Sequence, residues 1–141
     1  MINANESIIK KWIASWNSHD VEKIASFYTD DCVHEDIAVG LIHHGKKELR
    51  DSLPRLFVWI PDVNMSLISV FVDGSHAASE WIMSGTHAGS LPGIPATGKR
   101  FSVKGASISV LKKGKIVRNC DYWNYASFLQ QVGLMSPFPL K

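Results

Sequence analysis

Three side chains of this 141-residue sequence could move protons or stabilise a developing negative charge. Asp121 lies in an extended run near the end of the chain, and alternation places Asn119 and Trp123 on its face of the strand. His34 and His87 lie in or at the end of other extended runs, and each could donate a hydrogen bond to a substrate carbonyl or to an enolate. The competing interpretation for either histidine is a buried ring whose nitrogens bond the backbone.

The spacing of the other polar residues gives no support to metal or phosphate chemistry. His43 and His44 lack the i, i+4 helical spacing or the cysteine pairs of zinc sites, and the segment 34–36 alternates across a strand, so its side chains cannot converge. The glycine-rich segment 93–98 lies between two strands, unlike a phosphate loop, and the sequence contains no Gly-x-Ser-x-Gly elbow. We therefore expect no metal site and no bound nucleotide.

The composition is that of an ordinary globular protein. Apolar residues make up 45% of the chain, which excludes intrinsic disorder, and a net charge of +2 with dispersed basic residues argues against nucleic acid as a partner. No run approaches the ~20 apolar residues of a membrane span, and the N-terminus lacks the apolar core of a secretory signal, so we expect a cytoplasmic protein. Cys32 and Cys120 are then expected to be free thiols in a single domain that spans 1–141.

The period of the apolar residues is helical in the first half of the chain. It predicts a helix over 6–17, a second short helix that Asp20 caps and that reaches Tyr28, and a third helix over 45–60. Pro54 inside the third helix predicts a kink.

Extended segments dominate the second half. A short strand over 31–38 is followed by four long strands, which turn residues separate into an antiparallel meander over 65–72, 77–87, 101–111 and 116–125. A last helix is expected over 126–132. Helices that precede most of the strands predict the α+β class, with the helices on one face of a curved antiparallel sheet.

The predicted strand over 77–87 has two mixed faces. Trp81, Met83 and His87 share one face with small residues, while Glu80 and Ile82 share the other. We interpret one face as the wall of a ligand cavity and the other as a surface that a partner subunit covers.

Short motifs along nearly the whole chain resemble those of the SnoaL-like polyketide cyclases (ester cyclases), within the nuclear transport factor 2-like superfamily. Their order and spacing carry the resemblance, and they are Trp16-Asn17-x-His19-Asp20, Tyr28-x-x-Asp31, Pro61-Asp62, Gly85-Thr86-His87-x-Gly89, Gly93-Ile94-Pro95-Ala96-Thr97-Gly98-Lys99, Gly114-Lys115-Ile116 and Asp121-Tyr122-Trp123. The resemblance implies a cone-shaped α+β barrel, with a curved, mainly antiparallel sheet packed against three to four helices around a deep apolar pocket. It also implies that neither a metal nor an organic cofactor takes part.

The resemblance further implies roles for individual residues. In that family an aspartate on the last long strand is the general acid/base of an intramolecular aldol closure, and Asp121 is the matching position. Burial beside Trp123 is expected to raise the pKa of this carboxyl and to make it a stronger base. Pairing with Arg118 is the competing interpretation, although alternation puts Arg118 on the other face. Histidines at comparable places line the family's pocket, so His34 and His87 join Asp121 as candidate catalytic residues.

The aromatic residues indicate a planar, hydrophobic ligand. The candidate ligand-binding residues are Trp16, Phe57, Trp81, Met83, Asn119 and Trp123. Trp16 belongs to a helical stripe that is more typical of plain core, and Trp81 and Trp123 fit a core role as well as a ligand role. The segment 89–98 is a candidate lid at the pocket mouth, or simply a long hairpin loop.

These observations favour a cofactor-independent enzyme that removes a proton next to a carbonyl in a hydrophobic small molecule, with aldol-type closure or isomerisation as the outcome. The alternative is a non-catalytic module on the same fold that binds a small ligand or a protein. An epoxide hydrolase of this fold needs an arginine beside its aspartates, and it fits less well because Arg118 points away from Asp121. A ketosteroid isomerase needs two acids in the pocket, and it fits less well because Asp121 is the one convincing acid. Asp36, Asp62 and Glu80 remain outside candidates for a second. We expect a homodimer, since exposed sheet faces in this superfamily usually pair.

Overall fold

The computed structural model describes residues 3–137 and 139, which form one curved six-stranded sheet and four α-helices. In chain order the elements are α1 (Ala4–Ser15), a 3-10 turn (Trp16–Ser18), α2 (Val21–Ala25), β1 (Tyr28–Asp36), β2 (Leu41–His44), α3 (Gly45–Trp59), β3 (Asn64–Asp73), β4 (His76–Thr86), β5 (Arg100–Lys112), β6 (Lys115–Trp123) and α4 (Tyr125–Gln131). The predicted α+β class is confirmed. Within the described residues, no helix is long and apolar enough to cross a bilayer.

The sheet has the strand order β2-β1-β6-β5-β4-β3. The predicted meander is confirmed, because β3, β4, β5 and β6 pair antiparallel with their neighbours in sequence. Lys113 and Gly114 form the two-residue turn between β5 and β6, and both have the positive φ that such a hairpin requires. β1 joins the other edge of β6 in the parallel direction, which brings the first strand of the chain beside the last.

The second helix begins at a side-chain cap and ends earlier than the sequence pattern predicted. The predicted cap is confirmed, since the Asp20 carboxylate accepts a hydrogen bond from the Lys23 amide at 3.1 Å. The second helix nevertheless ends at Ala25, so the expectation that it reaches Tyr28 was wrong. Tyr28 begins β1, where it pairs with Ile116 of β6 and its hydroxyl is buried. Long-range pairing with β6 therefore outweighs the local helical period.

The helices cover one face of the sheet. α1 packs against β3, and α3 packs against β1. The α3 helix runs without interruption through Pro54, which occupies an exposed position. The buried residues Trp12, Leu53 and Phe128 lie on three of these helices and contribute to the core between helices and sheet.

A glycine makes room for a tryptophan on the inner face of the sheet. Gly105 of β5 is the cross-strand partner of Trp81 of β4, and a Cβ atom at Gly105 would lie 2.3 Å from the Trp81 ring. The indole can lie across β5 only because residue 105 has no side chain. This arrangement directs Trp81 over the centre of the sheet, where its Nε1–H donates to Ser107 at 2.9 Å.

Candidate active site

A cavity of about 730 Å³ lies between the inner face of the sheet and helices α1 and α3. Most of its wall is apolar, with Trp12 and Trp16 contributed by α1 and its 3-10 extension, Leu53 and Leu56 by α3, and Trp81 and Met83 by β4. Its volume is in the range of small-molecule pockets. The acidic, basic and histidine side chains of this wall are His34, Asp36, His43, Arg55 and Asp121.

Asp121 lies on β6 at the wall of the cavity, with its side chain 17% exposed. Oδ1 accepts two hydrogen bonds, from Ser107 Oγ at 2.6 Å and from Asn119 Nδ2 at 2.7 Å. Oδ2 lies 3.3 Å from Nε2 of His34. A carboxylate oxygen has two acceptor positions, so the capacity that remains on this side chain is on Oδ2.

The tautomer of His34 follows from a buried chain of hydrogen bonds. Trp12 Nε1–H donates to the Tyr28 hydroxyl at 3.0 Å, and that hydroxyl lies 3.1 Å from His34 Nδ1. Burial, reinforced by the charge of Asp121, raises the pKa of Tyr28 well above its ordinary value, so Tyr28 keeps its proton and donates a hydrogen bond to Nδ1 of the neutral ring. In this neutral form the Nε2 of His34 carries the ring proton, and Nε2–H donates to Asp121.

The donors to Asp121 reverse the shift that was expected in the pKa of its carboxyl. Desolvation by burial raises the pKa of its carboxyl, as the sequence predicted, but the hydrogen bond and charge of His34 and the hydrogen bonds of Ser107 and Asn119 lower it by more. The net pKa of Asp121 lies below its ordinary value, so the predicted rise was wrong. Trp123, which was expected to desolvate Asp121, donates its Nε1–H to Asp36 instead.

Asp36 is the second carboxylate of the cavity wall. It lies on β1, and Trp123 Nε1 is 3.0 and 3.1 Å from its two oxygens. Burial raises the pKa of Asp36, and the negative charge of Asp121 raises it further, while the bonds from Trp123 and from the Val39 amide oppose that rise. The expectation that the pocket has one convincing acid was therefore wrong. Asp36 was missed because it reaches the pocket through the parallel pairing of β1 with β6, and the sequence pattern predicted only antiparallel pairs.

The structure brings most of the predicted site residues together. Trp16, Trp81, Met83 and Trp123 line the cavity beside Asp121 and His34. Asn119 is fully buried behind this wall, where it accepts a hydrogen bond from Ser109 and donates one to Asp121. Through this hydrogen bond, Asn119 orients the Asp121 carboxylate.

Two predicted site residues lie away from the cavity wall. His87 is fully buried against Trp59 and Phe128, with Nδ1 3.0 Å from the Thr97 hydroxyl, and burial lowers its pKa. Phe57 stacks on His19, with the ring centroids 4.8 Å apart. Neither residue belongs to the lining of the cavity.

The segment 89–98 forms part of the wall at the cavity mouth. Leu91, Pro92 and Ile94 line the cavity, and Leu91 and Ile94 are joined by two backbone hydrogen bonds. The base of the segment is held by the Gly89 amide, which donates to Trp59 O at 3.1 Å. Because a Cβ at Gly89 would lie 1.8 Å from a backbone oxygen of α3, this contact requires glycine.

Arg118 lies on the outer face of the sheet, as alternation predicted. Its guanidinium contacts Cys120 Sγ at 3.6 Å, and it does not belong to the cavity wall. The pairing of Asp121 with Arg118 that the sequence left open does not occur. Cys32 and Cys120 are both free and buried, as expected.

The sequence profile of the SnoaL-like polyketide cyclases matches residues 6–132, which is most of the chain. The chain belongs to the SnoaL-like polyketide cyclase family. This membership confirms the resemblance drawn from the motifs, and it confirms a polyketide cyclase-type enzyme as the class of the protein.

Curated relatives of this SnoaL-like chain include two cyclases. It is 28% identical over 114 residues to the cyclase aurE of Calcarisporium arbuscula, which covers 79% of this chain and 81% of the relative. It is 24% identical over 139 residues to the aklanonic acid methyl ester cyclase DauD of Streptomyces sp. strain C5, which covers 94% of this chain and 83% of the relative.

Solved structures share the fold of this SnoaL-like chain. TsrD from Streptomyces laurentii superposes with a TM-score of 0.82 at 22% identity, over 96% of this chain and all of that one (100%). A protein of ketosteroid isomerase-like fold from Catenulispora acidiphila, solved with trimethylamine, superposes with a TM-score of 0.81 at 21% identity, over 94% and 97% of the two chains. The predicted superfamily fold is thereby confirmed.

Proposed function

We propose that this SnoaL-like protein catalyses removal of a proton from the carbon next to a carbonyl in a hydrophobic small molecule, and that the resulting carbanion closes a ring by intramolecular aldol addition. The observation that carries the proposal is the pair of cavity carboxylates, Asp36 and Asp121, whose pKa values are shifted in opposite directions. Opposite shifts in neighbouring carboxylates are the usual basis for dividing acid and base roles.

Asp121 acts as the base in this proposal. Its lowered pKa keeps it ionised, and Oδ2 retains a free acceptor position for the substrate proton. The three donors around it hold the carboxylate in one orientation, which supports catalysis by positioning rather than by high basicity. His34 fixes Oδ2 through the donor on Nε2.

Asp36 acts as the acid. Its raised pKa favours the protonated form, which donates a hydrogen bond to the carbonyl oxygen as negative charge develops there. Trp123 holds the carboxyl from the other side. In the ring-forming step, the carbanion carbon bonds to a second carbonyl carbon, whose C=O π bond breaks to give an alkoxide. The alkoxide takes the proton that Asp121 removed from carbon, so Asp121 ends ionised and Asp36 ends protonated, as each began.

The apolar wall supports a planar, hydrophobic substrate. Trp16, Trp81 and Trp123 offer ring surfaces beside the two carboxylates, and about 730 Å³ admits a molecule of three fused rings. The relative DauD is named for the cyclisation of aklanonic acid methyl ester, and for this chain we propose a flat, hydrophobic carbonyl compound, whether acid or ester.

The test uses two measurements on Asp121→Asn, which keeps the shape of the side chain and removes its basicity. Deuterium uptake at carbon 1 of 2-tetralone in D₂O should fall by about 10²–10⁴-fold relative to the unaltered protein, and ring closure of aklanonic acid methyl ester should fall in parallel. Asp30→Asn, at an exposed position on β1, is the matched control and should retain both activities. Exchange that survives in Asp121→Asn would refute the base assignment, and a lack of catalysed exchange in the unaltered protein would favour a ligand-binding module.

We also propose that two copies pair through the outer face of the sheet. Phe71 is 70% exposed there and lies in register with Ala78 and Ile108 on the next two strands, which forms an apolar strip across the sheet. Phe71→Glu should convert a dimer to a monomer in light scattering, whereas Val58→Glu, at an equally exposed apolar position on α3, should not. A monomeric mass of the unaltered protein would contradict the proposal.

A further inference from the structure

One arginine belongs to the wall of the cavity. Arg55 of α3 lines the cavity and is exposed, so this residue lies where the cavity meets solvent. Arg50 of the same helix pairs with Glu22 at 2.9 Å, and Arg100 pairs with Asp62 at 3.4 Å. Within residues 3–137 and 139, no carboxylate forms such a pair with Arg55. Its charge is therefore available to a ligand.

A line of polar side chains joins Arg55 to the carboxylate at the other end of the cavity. His34, which donates to Asp121 at 3.3 Å, is the cross-strand partner of His43 on β2, and their rings stack with centroids 6.4 Å apart. His43 in turn lies near enough to Arg55 for the positive charge of the guanidinium to lower the pKa of the His43 ring. All four residues belong to the lining of the cavity.

The charges along this wall differ in sign between its two ends. Asp36 and Asp121 make the inner end acidic. Burial lowers the pKa of His43, and the charges of His34 and Arg55 lower it further while that of Glu48 opposes them, so that His43 is neutral near pH 7. Of the lysines and arginines that the structure describes, Arg55 alone reaches the lining of the cavity.

We propose that Arg55 binds a carboxylate at the outer end of the substrate, so that the preferred ligand is a hydrophobic acid and not its neutral ester. The inference rests on the proposed function, because it takes the reacting carbon to lie at Asp121. A guanidinium matches a carboxylate with two parallel hydrogen bonds. The ionised Asp121 carboxylate repels an anionic group, so attraction at Arg55 and repulsion at Asp121 favour the same orientation of the ligand.

This orientation has a consequence for the chemistry. With its carboxylate at Arg55, a flat ligand lies along the apolar wall formed by Trp16 and Trp81, and its other end meets Asp121. The anionic group thereby determines which carbon is presented to the base. The site would then differ in preference from the relative DauD, whose named substrate is a methyl ester.

The test compares anthracene-2-carboxylate with its methyl ester, using isothermal titration calorimetry at pH 7 and low salt. In Arg55→Gln the Kd of the acid should rise about tenfold, while the Kd of the ester should change less than twofold. Arg55→Lys should keep part of the acid affinity, because it retains the charge and loses the planar fork. Arg50→Gln is the matched control, since it removes a guanidinium from the same helix outside the cavity, and should change neither Kd.

An unchanged Kd for the acid in Arg55→Gln would overturn the inference, and so would an equal loss for acid and ester or a failure of the acid to bind the unaltered protein. These outcomes are separate from failure of the proposed function, which is measured by deuterium uptake in neutral 2-tetralone. A protein that exchanges 2-tetralone through Asp121 and shows no acid preference would keep its proposed reaction and lose the proposed anion site.

Discussion

Asp36 and Asp121 are register partners on the adjacent parallel strands β1 and β6, and both side chains face the same cavity. Parallel pairing puts residues at the same height on the same side of a sheet, so two carboxylates 85 residues apart in sequence become neighbours. Three donors surround Asp121, whereas Asp36 has the Trp123 indole and one backbone amide. This difference in donors separates their pKa values.

The pH dependence of deuterium exchange should be bell-shaped. Asp121 must be ionised, so the rate falls as the pH drops through its lowered pKa, and Asp36 must be protonated, so the rate falls as the pH rises through its raised pKa. Removing the donor in His34→Leu should raise the pKa of Asp121 and move the acidic limb to higher pH. His44→Leu, at an exposed position on β2, is the control. An acidic limb that stays in place in His34→Leu would contradict the assignment.

Asp36→Asn should make the protein more stable and less active. Because the pKa of Asp36 is raised in the folded state, its ionised form lowers the free energy of unfolding at neutral pH. The neutral amide of Asn should restore about 1 kcal/mol of that free energy. It also keeps an acceptor for Trp123. The gain in the free energy of unfolding should be present at pH 7 and disappear below the ordinary pKa of an aspartate. Urea unfolding at pH 7 and pH 3.5 measures it, and a variant less stable than the parent at pH 7 would oppose this account.

Gly105→Ala should destabilise the fold and reduce ligand binding together. The new Cβ would lie 2.3 Å from the Trp81 ring, which must then shift toward the cavity, at a cost of about 1–3 kcal/mol. The double variant Gly105→Ala with Trp81→Leu should recover part of that loss, because the smaller side chain leaves space for the methyl group. A thermodynamic cycle of the two single variants and the double variant measures the coupling, and additive effects would show that the two residues are not in conflict.

His87 should make the protein less stable in mild acid. Burial lowers its pKa in the folded state, so near the ordinary histidine pKa of about 6.5 the unfolded chain takes up a proton that the folded chain does not. Stability is then lost as the pH falls, by up to about 1 kcal/mol at pH 5.5. His87→Asn should show a smaller difference between pH 7.5 and pH 5.5 in urea unfolding, while exposed His76→Gln should behave like the parent. Equal pH dependence in His87→Asn would exclude this role.

Local patterns predicted the elements well where they alone decide the structure. The Asp20 cap, the Lys113-Gly114 turn and the alternation of β6 follow from short-range sterics and hydrogen bonding, and the structure agrees with each. Tyr28 was assigned to the wrong element because its preference depends on a partner strand 88 residues away, at Ile116. Helical period is a local signal, and it contains no information about that strand.

Alternation and composition are properties of the chain, so they were enough to predict the α+β class, the face of β6 that carries Asp121 and the aromatic character of the cavity wall. The folded sheet was needed to show that Asp36 joins Asp121, that Trp123 donates to Asp36, and that His87 is fully buried outside the cavity lining. It also decided the direction in which the pKa of Asp121 shifts. A pKa depends on the balance between desolvation and the donors within a few ångströms, and those donors come from strands β1, β5 and β6, which only the folded sheet brings together.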